Sequence, residues 1–205
     1  MASRGGTLRG GPAGPVAVLD EAAIDARVHR TGVTLALIAD SFFWACWVFA
    51  FFYLRALNLN KSWMPSGVHH GNRLHGTITL VFVLLATLLY VGVTWLRPLT
   101  GAVWRWVATL ALLCGLGAAW FQAWEMWNLG FGLTDGTYPA VFAGWIGAWL
   151  IHFFAAMFWL LTIVVQGRPA GDTLVRPYAA ADFGRFLLYL AAIYVLAYIL
   201  LYYVA

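Results

Sequence analysis

The sequence predicts an all-α integral membrane protein, a bundle of five transmembrane helices. Of its 205 residues, 63% are hydrophobic and only 10% are charged, whereas a soluble domain carries about 25% charged residues. The apolar residues fall into five stretches, each of the roughly 20 residues or more that cross the hydrocarbon core as a helix. Hydrocarbon holds no water to satisfy open backbone groups, so the spans must be helical.

The spans are separated by short segments that carry turn-forming residues, such as Pro65 with Gly67 and Asp135 with Gly136. We place the spans at residues 31–56, 75–97, 103–128, 139–166 and 184–204. Together they make a transmembrane domain of residues 31–205. Residues 1–30 are predicted to be a cytoplasmic N-terminal tail, flexible at first and then a short interfacial helix.

The basic residues predict the orientation of the bundle. With five spans, one side collects Arg4, Arg9, Arg27, Arg30, Arg97, Arg105, Arg168, Arg176 and Arg185, and the other collects only Arg55, Lys61 and Arg73. The positive-inside rule then puts the N-terminus in the cytoplasm and the C-terminus outside. We expect a multi-pass protein of the bacterial cytoplasmic (inner) membrane. Because the basic residues are scattered singly, the pI near 9.3 reflects topology, and no nucleic-acid partner is predicted.

Several aromatic residues lie close to the predicted span ends. They are Trp63, Trp104, Trp127, Tyr138, Tyr202 and Tyr203. Amphipathic rings favour the boundary between headgroups and hydrocarbon. We therefore expect these six side chains at the membrane interfaces.

The ionisable residues inside the spans are the first functional candidates, since charge in hydrocarbon is costly. They are Asp40 in the first span, Glu125 in the third and His152 in the fourth, with His75 at a span end. Asp40 is either a hydrogen-bonded acid that fixes packing or a carboxylate that handles protons or lipid. Glu125 and His152 are more typical of side chains that hydrogen-bond neighbouring helices.

The sequence contains few residues that could bind a cofactor in this chain. A single bis-histidine haem on His75 and His152 is disfavoured, because their predicted depths differ by up to roughly 18 Å. The stretch HHGNRLH contains three histidines but has no acids or cysteines nearby, so we interpret it as a polar loop and predict no metal site. No phosphate-binding, dinucleotide-binding or hydrolase motif is present, and no catalytic residue is predicted.

Two stretches resemble subunit III of the haem-copper terminal oxidases, in its five-helix form. IADSFFWACWVFAFFYLRA with SWMPSGVHHGNRL is similar to a helix of that family and the loop after it. FQAWEMWNLGFGLTDGTYPAVFAGWIGAWLIHF resembles the second signature of the family. The positions that match this second signature are Gln122, Glu125, Asp135, Gly136, Tyr138, Phe142, Gly147 and His152. Asp40 stands where the family carries its membrane carboxylate. The likeness covers roughly residues 31–166.

The chain departs from the family pattern at several positions. Trp149 and Leu150 replace the first histidine and glycine of a paired-histidine helix, and Met64 replaces a loop proline. The last helix departs most, with Leu188 and Ala191 at the family's histidine and aspartate. The resemblance therefore implies a divergent member.

The resemblance implies an accessory subunit with no haem, copper or other cofactor of its own. It would pack directly on oxidase subunit I, associate with subunit II, bind phospholipid, and support proton uptake and stability while partner subunits, with their haems and copper, reduce oxygen. Asp40 would be the carboxylate related to protons or lipid. Gln122, Glu125, Asp135 and His152 would be structural or interface groups, and Arg55, Arg73 and Arg97 would contact lipid phosphates.

Three other interpretations stay open. A related subunit of a nitric oxide reductase system would use the same scaffold, and the sequence does not name the partner. A haem b-type membrane anchor would need a haem site, against which the histidine depths argue. A transporter would show broken helices in two related halves, and no such repeat is visible.

Overall fold

The computed structural model describes residues 15–58, 61–96, 102–166 and 177–205, with no side-chain description for 15–22, 96 and 177. In these ranges the chain forms five α-helices and no strand, and 87% of the chain is helical. The helices are α1 (Pro15–Leu57), α2 (Arg73–Leu96), α3 (Ala102–Trp127), α4 (Thr137–Gln166) and α5 (Pro177–Ile199). A short π-helical segment, Leu200–Val204, completes α5.

All five helices are long and apolar enough to cross a membrane, which confirms the predicted five-helix fold. The chain is therefore a multi-pass membrane protein. The ends of α2, α3 and α4 lie within two residues of the predicted bounds. Each of these three helices is flanked by turn-forming residues that stop the helical pattern, which is why their ends were predictable.

The first helix differs most from the expectation, since it begins at Pro15 instead of at residue 31. The predicted break between a tail helix and the first span is absent. Between Pro15 and Gly32 the chain contains no glycine or proline and is rich in alanine, so helix propensity continues without interruption. Proline is favoured in the first turn of a helix, where its missing N–H costs nothing. Residues 1–14 lie outside the described part of the chain.

The fifth helix also begins earlier than predicted, at Pro177 instead of at residue 184. The same first-turn proline effect applies, and the residues that follow it are Tyr178 and three alanines. The predicted span was placed by hydropathy alone. Hydropathy detects the apolar centre of a helix but not its more polar first turns.

Helices α2 to α5 form a closed ring in which each packs on two neighbours: α2 on α3, α3 on α4, α4 on α5, and α5 on α2. Helix α1 lies outside this ring and packs against α4 and α5. Only 11% of the most apolar part of α1 is buried, against 39% or more for each of the other helices. Helix α1 is therefore an outer helix seated on a four-helix core.

The two ends of the bundle are built differently from the expected aromatic belts. Trp127 is 91% exposed and Tyr203 is 54% exposed, as an interface position requires. The other four aromatic residues are buried: Trp63, Trp104, Tyr138 and Tyr202. Their place near span ends was correct, but the rings turn into the bundle and not towards the membrane surface. We call the end that carries residues 61–72, residues 128–136 and the C-terminus the loop end.

The seat of α1 on α4 depends on a glycine. Gly144 lies under the indole of Trp47, and a Cβ at this position would overlap that ring. Trp47 is a half-buried member of the interface. The absence of a side chain at Gly144 therefore sets how closely α1 approaches α4, as small residues commonly do between membrane helices.

We predict that Gly144→Val displaces Trp47 and loosens α1. Overpacking of this kind costs about 1–3 kcal/mol, so the thermal unfolding temperature of the purified chain in detergent should fall. Gly92→Val is the matched control, since a Cβ on Gly92 meets nothing within 4 Å. Equal unfolding temperatures for the two variants would contradict the close packing of Trp47 on Gly144.

Candidate functional site

The two ionisable residues deepest in the predicted spans lie side by side. His152 Nε2 in α4 lies 3.2 Å from Asp40 Oδ1 in α1. Trp44, one helical turn after Asp40, donates its Nε1 hydrogen to Asp40 Oδ2 at 2.8 Å. The rings of Phe43 and Trp44 pack on the imidazole, with centroids 5.8 and 5.3 Å away. We call Asp40 and His152 the mid-membrane pair.

The second ring nitrogen of His152 is bound within its own helix. Nδ1 lies 2.8 Å from the carbonyl oxygen of Ala148, one turn earlier on α4. A carbonyl only accepts, so Nδ1 is the donor and carries hydrogen. Nε2 is then the ring nitrogen that faces the carboxyl group of Asp40, at the distance of an ion pair.

The contact gives each of the two ionisable side chains a polar partner on the other helix. His152 is about 22 Å from the start of α4 and about 21 Å from its end, so the pair lies near the centre of the membrane. An unpaired charge at this depth is costly, and pairing explains how Asp40 is tolerated there.

The loops of the two sequence signatures meet at the loop end. Backbone N–H groups of Thr137 and Tyr138 donate to the carbonyls of Ser62 and Trp63, both at 2.9 Å. A Cβ on Gly136 would lie 2.6 Å from Cδ of Pro65, so glycine permits this contact. The two loops therefore form one joined structure.

Tyr138 links that junction to the C-terminus. Its hydroxyl donates to the carbonyl of Leu201 at 2.9 Å and accepts from the backbone N–H of Gly71 at 3.1 Å. The ring is fully buried. These two hydrogen bonds of one side chain fix the start of α4 relative to the segment before α2 and to the C-terminal π-helical segment.

Glu125 belongs to a second, separate group, which we call the buried acid cluster. Glu125 Oε2 accepts from Gln122 Nε2 at 2.9 Å and from the hydroxyl of Tyr202 at 3.0 Å. Gln122 Oε1 accepts from the hydroxyl of Tyr194 at 2.6 Å. All four side chains are at most 2% exposed. Glu125 thus ties α3 to the C-terminal helix, and it does not reach His152.

Of the two tyrosines in this cluster, Tyr194 was missed in the sequence, and Tyr202 was expected at the membrane interface instead. Tyr194, Tyr198 and Tyr202 recur every fourth residue, which places them on one face of a helix. That spacing was the available signal, because a tyrosine buried in an apolar helix needs a partner for its hydroxyl.

A third polar group, also missed, joins α1 to α5 at the end opposite the loops. Asp182 is 1% exposed and pairs with His29 Nδ1 and Arg185 Nη1, each at 2.8 Å. His29 lies in the part of α1 that precedes the predicted span. The sequence contained a signal for this group: an acidic residue near the start of an apolar helix. Such an acid requires a polar partner when it is buried.

The remaining predicted residues lie elsewhere. Asp135 is exposed and accepts from the backbone N–H of Gly132 at 2.6 Å, so it shapes its own loop. Arg73 donates to the carbonyl of Tyr202 at 3.0 Å and stacks on the ring of Tyr203. Arg55 ends α1 at the same side. Arg97 lies outside the described residues.

The histidines near the loop end point to different neighbours. His70 packs against Tyr138, and His75 packs against Phe121 and Trp124. Burial, followed by the charges of the arginines at positions 73 and 55, lowers the pKa of His70. Within the described ranges, no three histidine, cysteine or acidic side chains come together as a metal site would require.

Trp149, one of the departures from the family pattern, makes a hydrogen bond between two helices. Trp149 donates its Nε1 hydrogen to the carbonyl of Leu190 at 3.0 Å and packs on Tyr194 with centroids 4.5 Å apart. Ala191 is buried beside this contact. A tryptophan therefore supplies a donor from α4 to α5 where the family has a histidine.

Comparison with protein-family models finds no match to this chain. Comparison with curated proteins finds no match either.

We predict that Asp40 and His152 are energetically coupled. In a double-mutant cycle of Asp40→Asn and His152→Gln, the coupling free energy should be about 1–2 kcal/mol, the upper range for hydrogen bonds between membrane helices. Unfolding in SDS, followed by circular dichroism, measures it. Asp40→Asn combined with Tyr203→Phe is the control, and these distant changes should add within about 0.5 kcal/mol. A coupling free energy no larger than that of the control pair would contradict the contact between Asp40 and His152.

We predict that Tyr194→Phe destabilises the fold. The change leaves Gln122 Oε1 buried without its donor, which costs about 1–3 kcal/mol. The same SDS unfolding experiment measures the loss. Tyr53→Phe serves as the control because that ring is 52% exposed, and it should leave the unfolding free energy unchanged. Equal effects would argue against the buried acid cluster.

Proposed function

We propose that the chain is an accessory, cofactor-free subunit III of a proton-pumping haem-copper terminal oxidase. In this role it packs on oxidase subunit I, holds phospholipid, and supports proton uptake and the stability of the complex during oxygen reduction. The catalytic metals belong to the partner subunits.

The observation that carries the proposal is the contact between Asp40 and His152. The resemblance was drawn from two separate stretches of sequence, and these residues come one from each. In the fold they meet at 3.2 Å, close to the midpoint of α4. Ionisable residues within membrane spans generally pair with one another, and here the pair joins the two stretches that carry the resemblance. The joined loops, with Tyr138 bound to the carbonyl of Trp63, add a second contact between the same two stretches.

The topology assigned under this proposal follows the distribution of basic residues. The loop end faces the outside of a bacterial cytoplasmic membrane, and the opposite end, with Arg185 and Arg105, faces the cytoplasm. Arg55 and Arg73 then lie near the outer headgroups, where guanidinium groups bind phosphate. The largely uncovered surface of α1 is available to subunit I and to lipid.

We expect a tag on this chain to purify an intact complex from its native membrane, with haem-bearing subunit I and the copper-bearing subunit II. Mass spectrometry of the subunits and the visible haem spectrum identify the partners. Nitric oxide reductase subunits in their place would redirect the proposal to that enzyme. A haem bound in stoichiometric amount to this chain alone would refute a cofactor-free role.

Within that complex, Asp40→Asn should reduce the number of turnovers before the enzyme inactivates, because an amide cannot take up and release a proton as a carboxyl group does. Asp40→Glu keeps a carboxyl group and should retain turnover close to wild type. Oxygen consumption and proton uptake in reconstituted vesicles measure both. Unchanged lifetime, proton uptake and lipid content in Asp40→Asn would remove the carboxylate from the mechanism.

A further inference from the structure

The buried acid cluster contains one carboxyl oxygen that has no partner. Glu125 Oε2 accepts hydrogen bonds from Gln122 and Tyr202, at 2.9 and 3.0 Å. Glu125 Oε1 is buried and has no hydrogen-bond partner in the described part of the chain. Nearly all buried polar atoms in proteins are hydrogen-bonded, so an exception requires an explanation. For an acid, that explanation begins with its charge.

The titratable side chains that interact with Glu125 carry no positive charge. They are the phenols of Tyr138 on α4 and of Tyr194 and Tyr202 on the C-terminal helix. Phenols are neutral at about pH 7. The surroundings of the acid on α4 and α5 therefore do not compensate for an ionised carboxylate.

The two basic residues at the start of α2 are bound to other groups. Arg73 donates to the backbone carbonyl of Tyr202 at 3.0 Å, and His75 packs on the rings of Phe121 and Trp124. The ion pairs among the described residues do not include the acid of this cluster. A buried carboxylate without a cation beside it is so costly that such a group becomes neutral. The acid must therefore bind either a proton or a metal cation.

The oxygens of the cluster favour a proton over a metal cation. Hard cations such as Mg²⁺ and Ca²⁺ take about six or more oxygen ligands. The hydroxyl groups of Tyr194 and Tyr202 already direct their hydrogens to the neighbouring amide and acid. In the described chain, the buried side-chain oxygens without a partner are Glu125 Oε1 and, on α2, Thr79 Oγ1. Two oxygens do not surround a metal ion, whereas a proton needs only one.

We propose that Glu125 is a proton-binding site: in the folded protein Oε1 carries one proton, and the side chain is a neutral carboxylic acid. Glu125 lies about 3 Å before the end of α3, and Trp127 at that end is 91% exposed. Before α5 packs on α3, the carboxyl group therefore has access to water. Packing of the C-terminal helix removes it from water, and an O–H bond forms at Oε1 as one breaks in a hydronium ion or buffer acid. The proposal holds whichever complex the chain joins.

Proton binding makes the packing of the C-terminal helix depend on pH. A glutamate carboxyl in water loses its proton above about pH 4.3. Because the folded state keeps a proton that the unfolded state has released, stability falls as the pH rises. One proton changes the folding equilibrium constant about tenfold per pH unit, over the range in which the folded acid keeps its proton. Low pH at the loop end thus favours the closed bundle, and high pH favours release of the C-terminal helix.

The first test replaces the acid with an amide of the same shape. Glu125→Gln is neutral and keeps an oxygen that accepts from Gln122 and Tyr202. Its folding equilibrium constant should be within about tenfold of the wild type at about pH 5, and should gain about tenfold on the wild type per pH unit up to about pH 6.5. Asp135→Asn, the same change at an exposed loop residue, should keep the wild-type pH dependence. Urea unfolding in a nonionic detergent, followed by circular dichroism, measures all three chains.

The second test observes the proton directly and needs no change at Glu125. Glutamate occurs in the chain only as Glu21 and Glu125, so Glu21→Gln leaves Glu125 as the sole glutamate. With isotopically labelled carbon in the glutamate carboxyl groups, the infrared spectrum of the folded full chain at about pH 6 should show the isotope-shifted carbonyl band of a carboxylic acid, because a water-exposed glutamate would be ionised. Unfolding at the same pH should replace that band with the bands of a carboxylate.

Several results would overturn the proposal. One is a labelled carboxylate band in the folded chain. Another is a Glu125→Gln variant that does not fold, or that is less stable than the wild type at every pH, since an amide replaces a neutral acid but not an ionised one. Stabilisation of the wild type by Na⁺ or K⁺, and not of Glu125→Gln, would identify a metal-cation site instead. Because the chain is tested without partner subunits, failure here leaves the proposed oxidase role to the purification experiment.

Discussion

Hydrocarbon supplies no hydrogen-bond partners, and the placement of the polar side chains in this bundle follows from that constraint. Each of the three acids buried or half-buried among the described helices has a partner on another helix: Asp40 on α4, Glu125 on the C-terminal segment and Asp182 on α1. These contacts lie at the middle and at the two ends of the bundle. Polar pairing therefore specifies which helices are neighbours. Apolar packing alone specifies neighbours much less well, because the surrounding lipid is as apolar as the helices.

The constraint also explains what the sequence could and could not predict. The number of helices and most of their ends follow from apolar length and turn residues, which are local properties. The ionisable residues of interest, Asp40, Glu125 and His152, could be selected because polar groups in spans are rare. Their partners could not be assigned, since any of several helices could supply them. The sequence treated Glu125 and His152 alike, yet they belong to different groups at different depths.

The final helix also shows that the partners of polar residues could not be assigned from the sequence. By composition, RFLLYLAAIYVLAYILLYY is an apolar span with tyrosines, and those near its end were expected at the interface. In the fold, Tyr194 and Tyr202 turn inward to the acid cluster, whereas Tyr203 turns outward. A tyrosine near a span end turns inward when a neighbouring helix carries a hydrogen-bond acceptor for its hydroxyl group. That information lies about 70 residues away in the chain, at Gln122 and Glu125.

The outer position of α1 has a consequence for biogenesis. Ribosomes deliver α1 to the membrane long before α4 is made, so Asp40 enters the bilayer without His152. A single acid at the centre of a helix costs about 2.5–3.5 kcal/mol during insertion, and the phenylalanines and tryptophans around Asp40 offset it. Until α4 follows, Trp44 of the same helix is the hydrogen-bond partner available to Asp40. Closure of the bundle then supplies His152 as a second polar partner, and this contact favours the packing of α1 against α4.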